Sequence, residues 1–298
     1  MLARDTAISE TAIRALIADI KSKKELRSLN DEFVREQIYQ YLNGHPLAAA
    51  LLTRKHNPKS SHYKKIIKEV RASLRKVYGL FRTQEQELKR KELLDEMLAS
   101  VAQLQTISKK ILDTHSSTRE RLPFYEKLYA KIFKITGKPA TILDVGCGIN
   151  PFSIPLMNLS PLHYYAYDLS DDEIETLNHF FDYLHKKNSS FTGKADILDV
   201  LQWAKLSTLG SADLCFLFKM TDVLDRGKGH KVTEIVIAKV PARYVVVSFP
   251  THTMSGKKMR VPQRNWMQWM CTRLGYSFKV LEFPTEIFYV VKKKNNLL

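Results

Sequence analysis

The chain has 298 residues, 44% hydrophobic and 26% charged, with a formal net charge of +16, a composition normal for a folded, soluble protein of one large or two ordinary domains. No run approaches the roughly 18 apolar residues of a membrane span, and the start, Met1 to Asp5, lacks the apolar stretch of a signal peptide, so a membrane protein is excluded and a cytoplasmic one expected. Cys147, Cys215 and Cys271 are far apart and form no C-x-x-C pair, so reduced thiols and no metal are expected, while the positive balance makes nucleic acid the first partner to consider.

Residues from about 6 to 113 carry helix patterns and few strand signals. Ile13, Leu16, Ile17 and Ile20 recur at helical spacing, and Val34, Ile38, Tyr41 and Leu42 do so again between Asn30-Asp31 as a start signal and Gly44 as a stop. A third pattern sets Tyr63, Ile66, Ile67, Val70, Leu74 and Val77 on one face and Lys64, Lys65, Lys68, Arg71, Arg75 and Lys76 largely on others. Such a helix is packed on one side and strongly positive elsewhere, and Arg54, Lys55, His56 and Lys59 just before it enlarge the patch. Lys64, Lys65, Lys68, Arg71 and Arg75 are the candidate RNA-binding residues of this part, against the blander reading of a solvated charged face. A long helical pattern through Leu93, Leu94, Met97, Leu98, Val101 and Leu104 follows. Ser117-Thr118-Arg119-Glu120 then fits the capping box S-x-x-E and predicts a helix through Leu122, Tyr125, Leu128, Tyr129, Ile132 and Phe133.

After Gly137-Lys138-Pro139 the rhythm changes. Short β-rich runs at Thr141 to Val145, Tyr164 to Tyr167, Leu214 to Phe218, Tyr244 to Phe249 and Ile287 to Val291 alternate with helix-length segments, which predicts an α/β sheet with crossover helices. The expected organisation is an all-helical, basic RNA-docking domain over 1–113 and an α/β domain over 114–298.

The first of these strands runs into Asp144-Val145-Gly146-Cys147-Gly148-Ile149-Asn150-Pro151, a tight turn at the carboxyl end of a strand, where open α/β sheets bind ligands. Gly146 and Gly148 let a ligand approach the backbone. The next strand ends in Asp168, placed to accept both hydroxyls of a ribose. A nicotinamide dinucleotide would meet the same features, but its fingerprint wants a third glycine where this chain has Pro151, and Asp144 is a poor neighbour for a pyrophosphate. An acid there suits the ammonium of an amino acid, which S-adenosylmethionine carries. Asp196, after the third strand region, can accept from an adenine amino group. Each aspartate alone could be a turn or cap residue; three in order at strand ends point to this nucleoside cofactor.

His115-Ser116-Ser117-Thr118-Arg119-Glu120-Arg121-Leu122, Leu143 to Pro151, Phe218-Lys219 and Val247-Ser248-Phe249-Pro250-Thr251 together resemble, in order and spacing, the aminoglycoside-resistance 16S rRNA guanine-N7 methyltransferases of the FmrO or Arm type, over roughly residues 60 to 298. The resemblance implies a Rossmann-like class I S-adenosylmethionine methyltransferase domain behind a helical N-terminal domain that docks on the small ribosomal subunit. It implies that Arg119 holds the methionine carboxylate, with Arg121 as the second candidate, and that Gly146, Gly148, Asp168 and Asp196 line the cofactor; Asp144 and Lys219 complete the set. Met220-Thr221-Asp222-Val223-Leu224 and His252 depart from the pattern where a target base would be handled, which leaves the exact nucleotide open.

Guanine N7 has a free lone pair at neutral pH, so methyl transfer to it needs alignment and no general base, and no catalytic acid or base is expected. The Asn-Pro-Pro-aromatic signature for exocyclic amines is missing after the fourth strand, and Cys271, among Trp266, Trp269 and Met270, is read as a buried thiol rather than a nucleophile. Lys257, Lys258, Arg260 and Arg264, following Ser255-Gly256, are candidates for a basic clamp on the phosphates beside an extruded base; His252 is a weaker candidate for contact with the base, against the reading of an incidental loop histidine. The partner expected is 16S rRNA in the small subunit, bound by a monomer. The competing readings are a methyltransferase for another RNA, such as tRNA or another rRNA site, and a non-catalytic ribosome-binding or assembly factor of the same fold.

Overall fold

A computed structural model describes residues 8–54, 57–78, 84–99, 104–225, 229–253 and 256–294. The chain divides into two compact units, Met1–Glu85 with Leu169–Asp172, and Gln86–Asp168 with Glu173–Leu298.

The first unit is helical because its sequence offers apolar stripes of helical period between strong caps. Helix α1 (Glu10–Lys21) starts at Ser9, whose hydroxyl accepts from the Ala12 N–H, and α2 (Asp31–Asn43) starts at Asn30, whose side-chain Oδ1 accepts from the Glu32 and Phe33 N–H groups. Gly44 ends α2, as the sequence predicts. Helices α3 (Pro46–Arg54) and α4 (Ser61–Val77) complete the unit. Ile13, Leu16, Ile20, Val34, Ile38, Ile66, Val70 and Leu74 are all buried in one core, each contributing about 1.5–3 kcal/mol relative to an exposed side chain. Leu169–Asp172 belong here: Asn30 N donates to Leu169 O (3.0 Å), and Asp171 N to Ser28 O (2.9 Å). Lys55 and His56 of the expected basic patch lie outside the described residues.

In the second unit, α5 (Gln84–Ala99) and α6 (Leu104–Leu112) replace the single long helix expected there; Val101 lies outside the described residues and Leu98 is exposed. Both helices bury Leu93, Leu94, Met97, Ile107, Ile111 and Leu112 in the core of the sheet unit, so the helical unit ends at Glu85 where the sequence reading sets its limit at 113. Next comes α7 (Ser116–Arg121), which begins one residue before the expected capping box. Its cap is His115, whose ring nitrogen accepts from Ser117 N at 3.3 Å; Ser117 does not cap, and the Glu120 carboxylate accepts from Lys219 instead. Pro123 then interrupts the helix with one 3-10 turn before α8 (Tyr125–Thr136).

Seven strands follow: β1 (Thr141–Val145), β2 (Leu162–Asp168), β3 (Phe191–Ile197), β4 (Ala212–Phe218), β5 (Ala242–Pro250), β6 (Ser277–Glu282) and β7 (Glu286–Lys292), in the order β3-β2-β1-β4-β5-β7-β6. The first five are parallel; β7 runs antiparallel to β5 and β6. Between them lie α9 (Asp171–Lys187), α10 (Trp203–Ser207), α11 (Thr221–Asp225), α12 (Lys231–Lys239) and α13 (Asn265–Leu274). Alternate strand residues bury on opposite faces. Ile142, Leu214, Phe216 and Val246 pack with α6 and α8, whereas Leu143, Cys215, Val245 and Val247 pack with α12 and α13. Both faces of the inner strands β1, β4, β5 and β7 are covered, so these are apolar almost throughout, whereas the edge strands β3 and β6 carry polar residues. The α/β sheet expected from the motifs is present, with β6 as an addition that its half-polar sequence did not announce.

Candidate cofactor and substrate site

Strand order reverses between β1 and β4, and in open sheets ligands bind outside the carboxyl ends at such a switch point. The glycine turn lies there. Its two glycines have positive φ, +66° at Gly146 and +49° at Gly148, and Gly146 N and Cys147 N both donate to Tyr167 O. They do different work. A Cβ on Gly146 would come within 2.1 Å of Met220 Sδ, so this glycine makes room for the methionine, while a Cβ on Gly148 would meet nothing within 4 Å. Open space for a ligand therefore lies beside Gly148.

Asp168, at the end of β2 and 8% exposed, accepts from Gly148 N at 2.8 Å and so ties the turn to the neighbouring strand. Asp196, the penultimate residue of β3, lies one strand further out, exposed, with Lys194 Nζ 3.1 Å from its carboxylate. The carboxyl edge thus presents the turn and two acids in the order that the sequence analysis anticipates.

Asp144 is placed otherwise. At 1% exposure it faces inward, accepting from Asn150 Nδ2 (2.9 Å) and from the Tyr164 hydroxyl (2.7 Å). Burial pushes its carboxyl up to about 6, partly offset by those two donors. The expected contact with a ligand ammonium gives way to a role behind the turn. Asn150 carries the link onward: its Oδ1 accepts from the Tyr125 hydroxyl (2.8 Å) and from Arg121 Nη1 (3.4 Å).

The two arginines of α7 separate sharply. Arg121 is 2% exposed; its Nε donates to Glu286 Oε2 at 2.8 Å and its guanidinium lies 4.7 Å from the centre of the Phe218 ring. It is a structural cation. Arg119 is 52% exposed in its side chain, with only a 3.8 Å approach to the exposed Asp113, and remains able to take a carboxylate.

Lys219 follows β4 with φ +55°. Its N–H donates to Ser248 Oγ (2.9 Å), and its Nζ lies 2.5 Å from Glu120 and 3.8 Å from Glu286. Ser248 in turn donates to Glu286, which is 0% exposed. Sequence reasoning passed over Glu286; the signal was a lone carboxylate opening an otherwise apolar strand. Because β7 runs antiparallel, its first residue lands at the carboxyl ends of the parallel strands, opposite Pro250.

Beyond β5, backbone hydrogen bonds from Thr253 N to Lys257 O and from Met259 N to Thr251 O build a hairpin that leaves Lys257, Lys258 and Arg260 exposed. Ser255 lies outside the described residues. Arg264 does not join these three: it donates to Pro262 O (2.6 Å) and Pro250 O (3.4 Å), lies 5.1 Å from the Phe249 ring centre and precedes α13 as a brace. His252 contacts Thr251 Oγ1 at 3.0 Å. Cys271 is buried, as expected, and burial pushes its thiol up to about 11.

In the helical unit, Lys64, Lys68, Arg71 and Arg75 follow one another at positions i, i+4, i+7 and i+11 of α4 and, with Asp19, Lys23 and Ile67, line a groove of about 410 Å³. Two of the four are committed: Arg71 donates to the α1 carbonyls of Asp19 and Ile20 and to Ser22 Oγ, and Arg75 pairs with Glu25. Lys23, absent from the sequence-based set, adds a cation to the groove, whereas Lys65 is exposed outside it.

Among the described residues no helix is long and apolar enough to cross a membrane. Residues 39–290 match the family model for ribosomal RNA methyltransferase (FmrO). A 16S rRNA (guanine(1405)-N(7))-methyltransferase of Proteus mirabilis is 30% identical over 189 residues, 62% of this chain and 64% of that protein. The Frankia casuarinae protein of the same name is 28% identical over 62% of this chain and 63% of its own length. The matched stretch thus spans somewhat under two thirds of these relatives. Among solved structures, the 16S rRNA methylase RmtB (TM-score 0.69, 22% identity, 95% of this chain and 98% of that one) shares the fold. So does the 16S rRNA methyltransferase RmtF, solved with S-adenosyl-L-homocysteine (TM-score 0.70, 22% identity, 96% and 100%). With more than half of its length inside the family model, the chain belongs to the FmrO family of ribosomal RNA methyltransferases.

Proposed function

We propose that the protein is an S-adenosylmethionine-dependent methyltransferase that modifies N7 of a guanine in the 16S rRNA of the small ribosomal subunit. The observation that carries this reading is the carboxyl edge of the sheet. Open space beside Gly148, backed by Asp168 and then Asp196 on successive strands, fits a nucleoside, and the half-exposed Arg119 fits the carboxylate of its amino-acid tail. When bound, the cofactor supplies a methyl group on a sulfonium, which leaves with its electron pair staying on sulfur as the purine N7 forms the new bond. Asp168 would take the ribose and Asp196 the adenine. Asp144 acts from behind, holding Asn150 and the turn in shape.

N7 attacks with its own lone pair, so the protein's share of the work is alignment and exclusion of water. The protein family, whose relatives are named for guanine N7 of 16S rRNA, favours that atom. Three exposed cations of the hairpin, Lys257, Lys258 and Arg260, would clamp the phosphates beside the target, and Lys23, Lys64 and Lys68 in the α1–α4 groove would take a further stretch of backbone. The test is transfer of labelled methyl to small subunits, free 16S rRNA and tRNA in parallel, with the modified nucleoside identified by mass spectrometry. N7-methylguanosine on the subunit is the expected product; label confined to tRNA, or on another atom, overturns the substrate assignment.

A further inference from the structure

A buried run of polar groups, Arg121, Glu286 and Ser248, ends on the backbone of Lys219 and has no part in holding the cofactor as assigned above. We propose that Glu286 is a positioning residue for methyl transfer: through Ser248 it fixes the backbone of Lys219, and through its second oxygen it restrains the Lys219 ammonium at the carboxyl end of β4. This rests on the methyltransferase reading of the site.

Lys219 and Asn158 are the non-glycine residues with positive φ among those described. Asparagine tolerates that conformation through its short polar side chain; lysine has no such help, so its surroundings must enforce it. The enforcing contact is the 2.9 Å bond from Lys219 N to Ser248 Oγ. A serine hydroxyl has one proton. Here the proton is committed to Glu286 Oε1, a carboxylate that can only accept, so the serine lone pairs are left to face the lysine N–H. The Lys219 N–H can only donate, so the relay runs from the lysine backbone through the serine hydroxyl to Glu286 Oε1. Its other oxygen is fixed by Arg121 Nε at 2.8 Å and lies 3.8 Å from Lys219 Nζ.

A fully buried carboxylate is a costly way to pack a strand start, and its position matters. The antiparallel course of β7 brings residue 286 to the same edge as the glycine turn, and the register sets Ser248 beside Phe218, one residue before the lysine. The charges also balance: Arg121 and Lys219 against Glu286 and Glu120. Methylation at N7 moves a positive charge from sulfur to the purine, and a cation at this edge would oppose that arrival unless offset by carboxylates.

The test uses the full chain with Ser248→Ala, which removes only the relay hydroxyl and leaves the buried ion pair, and with Glu286→Gln where it folds. Hydrogen exchange at the Lys219 amide, S-adenosylmethionine affinity by calorimetry, and single-turnover methylation of small subunits are measured on each. Expected are about tenfold faster exchange at Lys219 and a loss of about tenfold or more in single-turnover rate. Cofactor Kd and the KM for subunits should stay within about threefold, and the Lys219→Ala, Ser248→Ala double variant should be no slower than Lys219→Ala alone. Unchanged exchange, a fall in cofactor affinity matching the fall in rate, or losses that multiply in the double variant would overturn the proposal. If wild-type protein labels no RNA, the methyltransferase reading fails by itself, and the exchange rates still decide whether Glu286 holds Lys219.

Discussion

Replacing each of the two α7 arginines by methionine should produce opposite kinds of damage. Arg121→Met leaves Glu286 at 0% exposure with the Ser248 hydroxyl and a lysine 3.8 Å away, in place of a guanidinium at 2.8 Å. Removing one partner of a buried ion pair costs about 3–5 kcal/mol, because the remaining charge keeps its desolvation penalty. For a cooperative unit of this size that is a fall of about 6–20 °C in Tm. Arg119→Met removes a side chain that is half in water and only 3.8 Å from an exposed carboxylate, so stability should change by less than about 0.5 kcal/mol. It should instead weaken cofactor binding by about 10- to 100-fold, the worth of a charge-assisted hydrogen bond to a carboxylate. Thermal unfolding followed by tryptophan fluorescence reports on the right unit, since Trp203, Trp266 and Trp269 all lie in it; calorimetry with S-adenosylmethionine reads the second effect. A loss below 1 kcal/mol for Arg121→Met, or equal destabilisation by both substitutions, would refute the reasoning.

Gly146→Ala should destabilise by about 2 kcal/mol or more, since the added methyl meets Met220 as well as the positive φ, while Gly148→Ala should cost about 1 kcal/mol in denaturant unfolding and act mainly on cofactor Kd. Asp144, held at about 6 when folded against about 3.9 unfolded, binds its proton more tightly in the folded state. Its contribution is therefore full below about pH 4 and falls by about 3 kcal/mol as pH rises to 6, flat above that; urea titrations of Asp144→Asn across pH 4–7 should lack this slope. Lys64→Glu with Lys68→Glu should weaken small-subunit binding most at low salt and lower the slope of log affinity against log salt by about two, with cofactor affinity unchanged. Lys257→Glu with Lys258→Glu should depress RNA methylation in the same way; equal loss of cofactor affinity would contradict the clamp.

Much of this protein is determined by its sequence alone. The helical faces of α1, α2 and α4 follow from apolar residues spaced three and four apart, and Asn30 and Gly44 mark the ends of α2, because capping is a contact between near neighbours. The strand, the glycine turn and the acids at Asp168 and Asp196 were legible for the same reason: each depends on a local conformation or on the chemistry of one residue type. Tertiary structure decided the rest. Arg119 and Arg121 are indistinguishable in a window of ten residues, and distant partners, Glu286 165 positions away together with Asn150 and Phe218, hold one of them inward. Asp144 carries the same carboxylate as Asp168, yet Tyr164 and Asn150 draw it behind the turn. On α4, Arg71 and Arg75 are diverted to α1 carbonyls and Glu25, while Lys23 joins the groove from outside the helix. A side chain's role is set by which groups surround it once the chain is packed, and those groups come from distant stretches that no local pattern links.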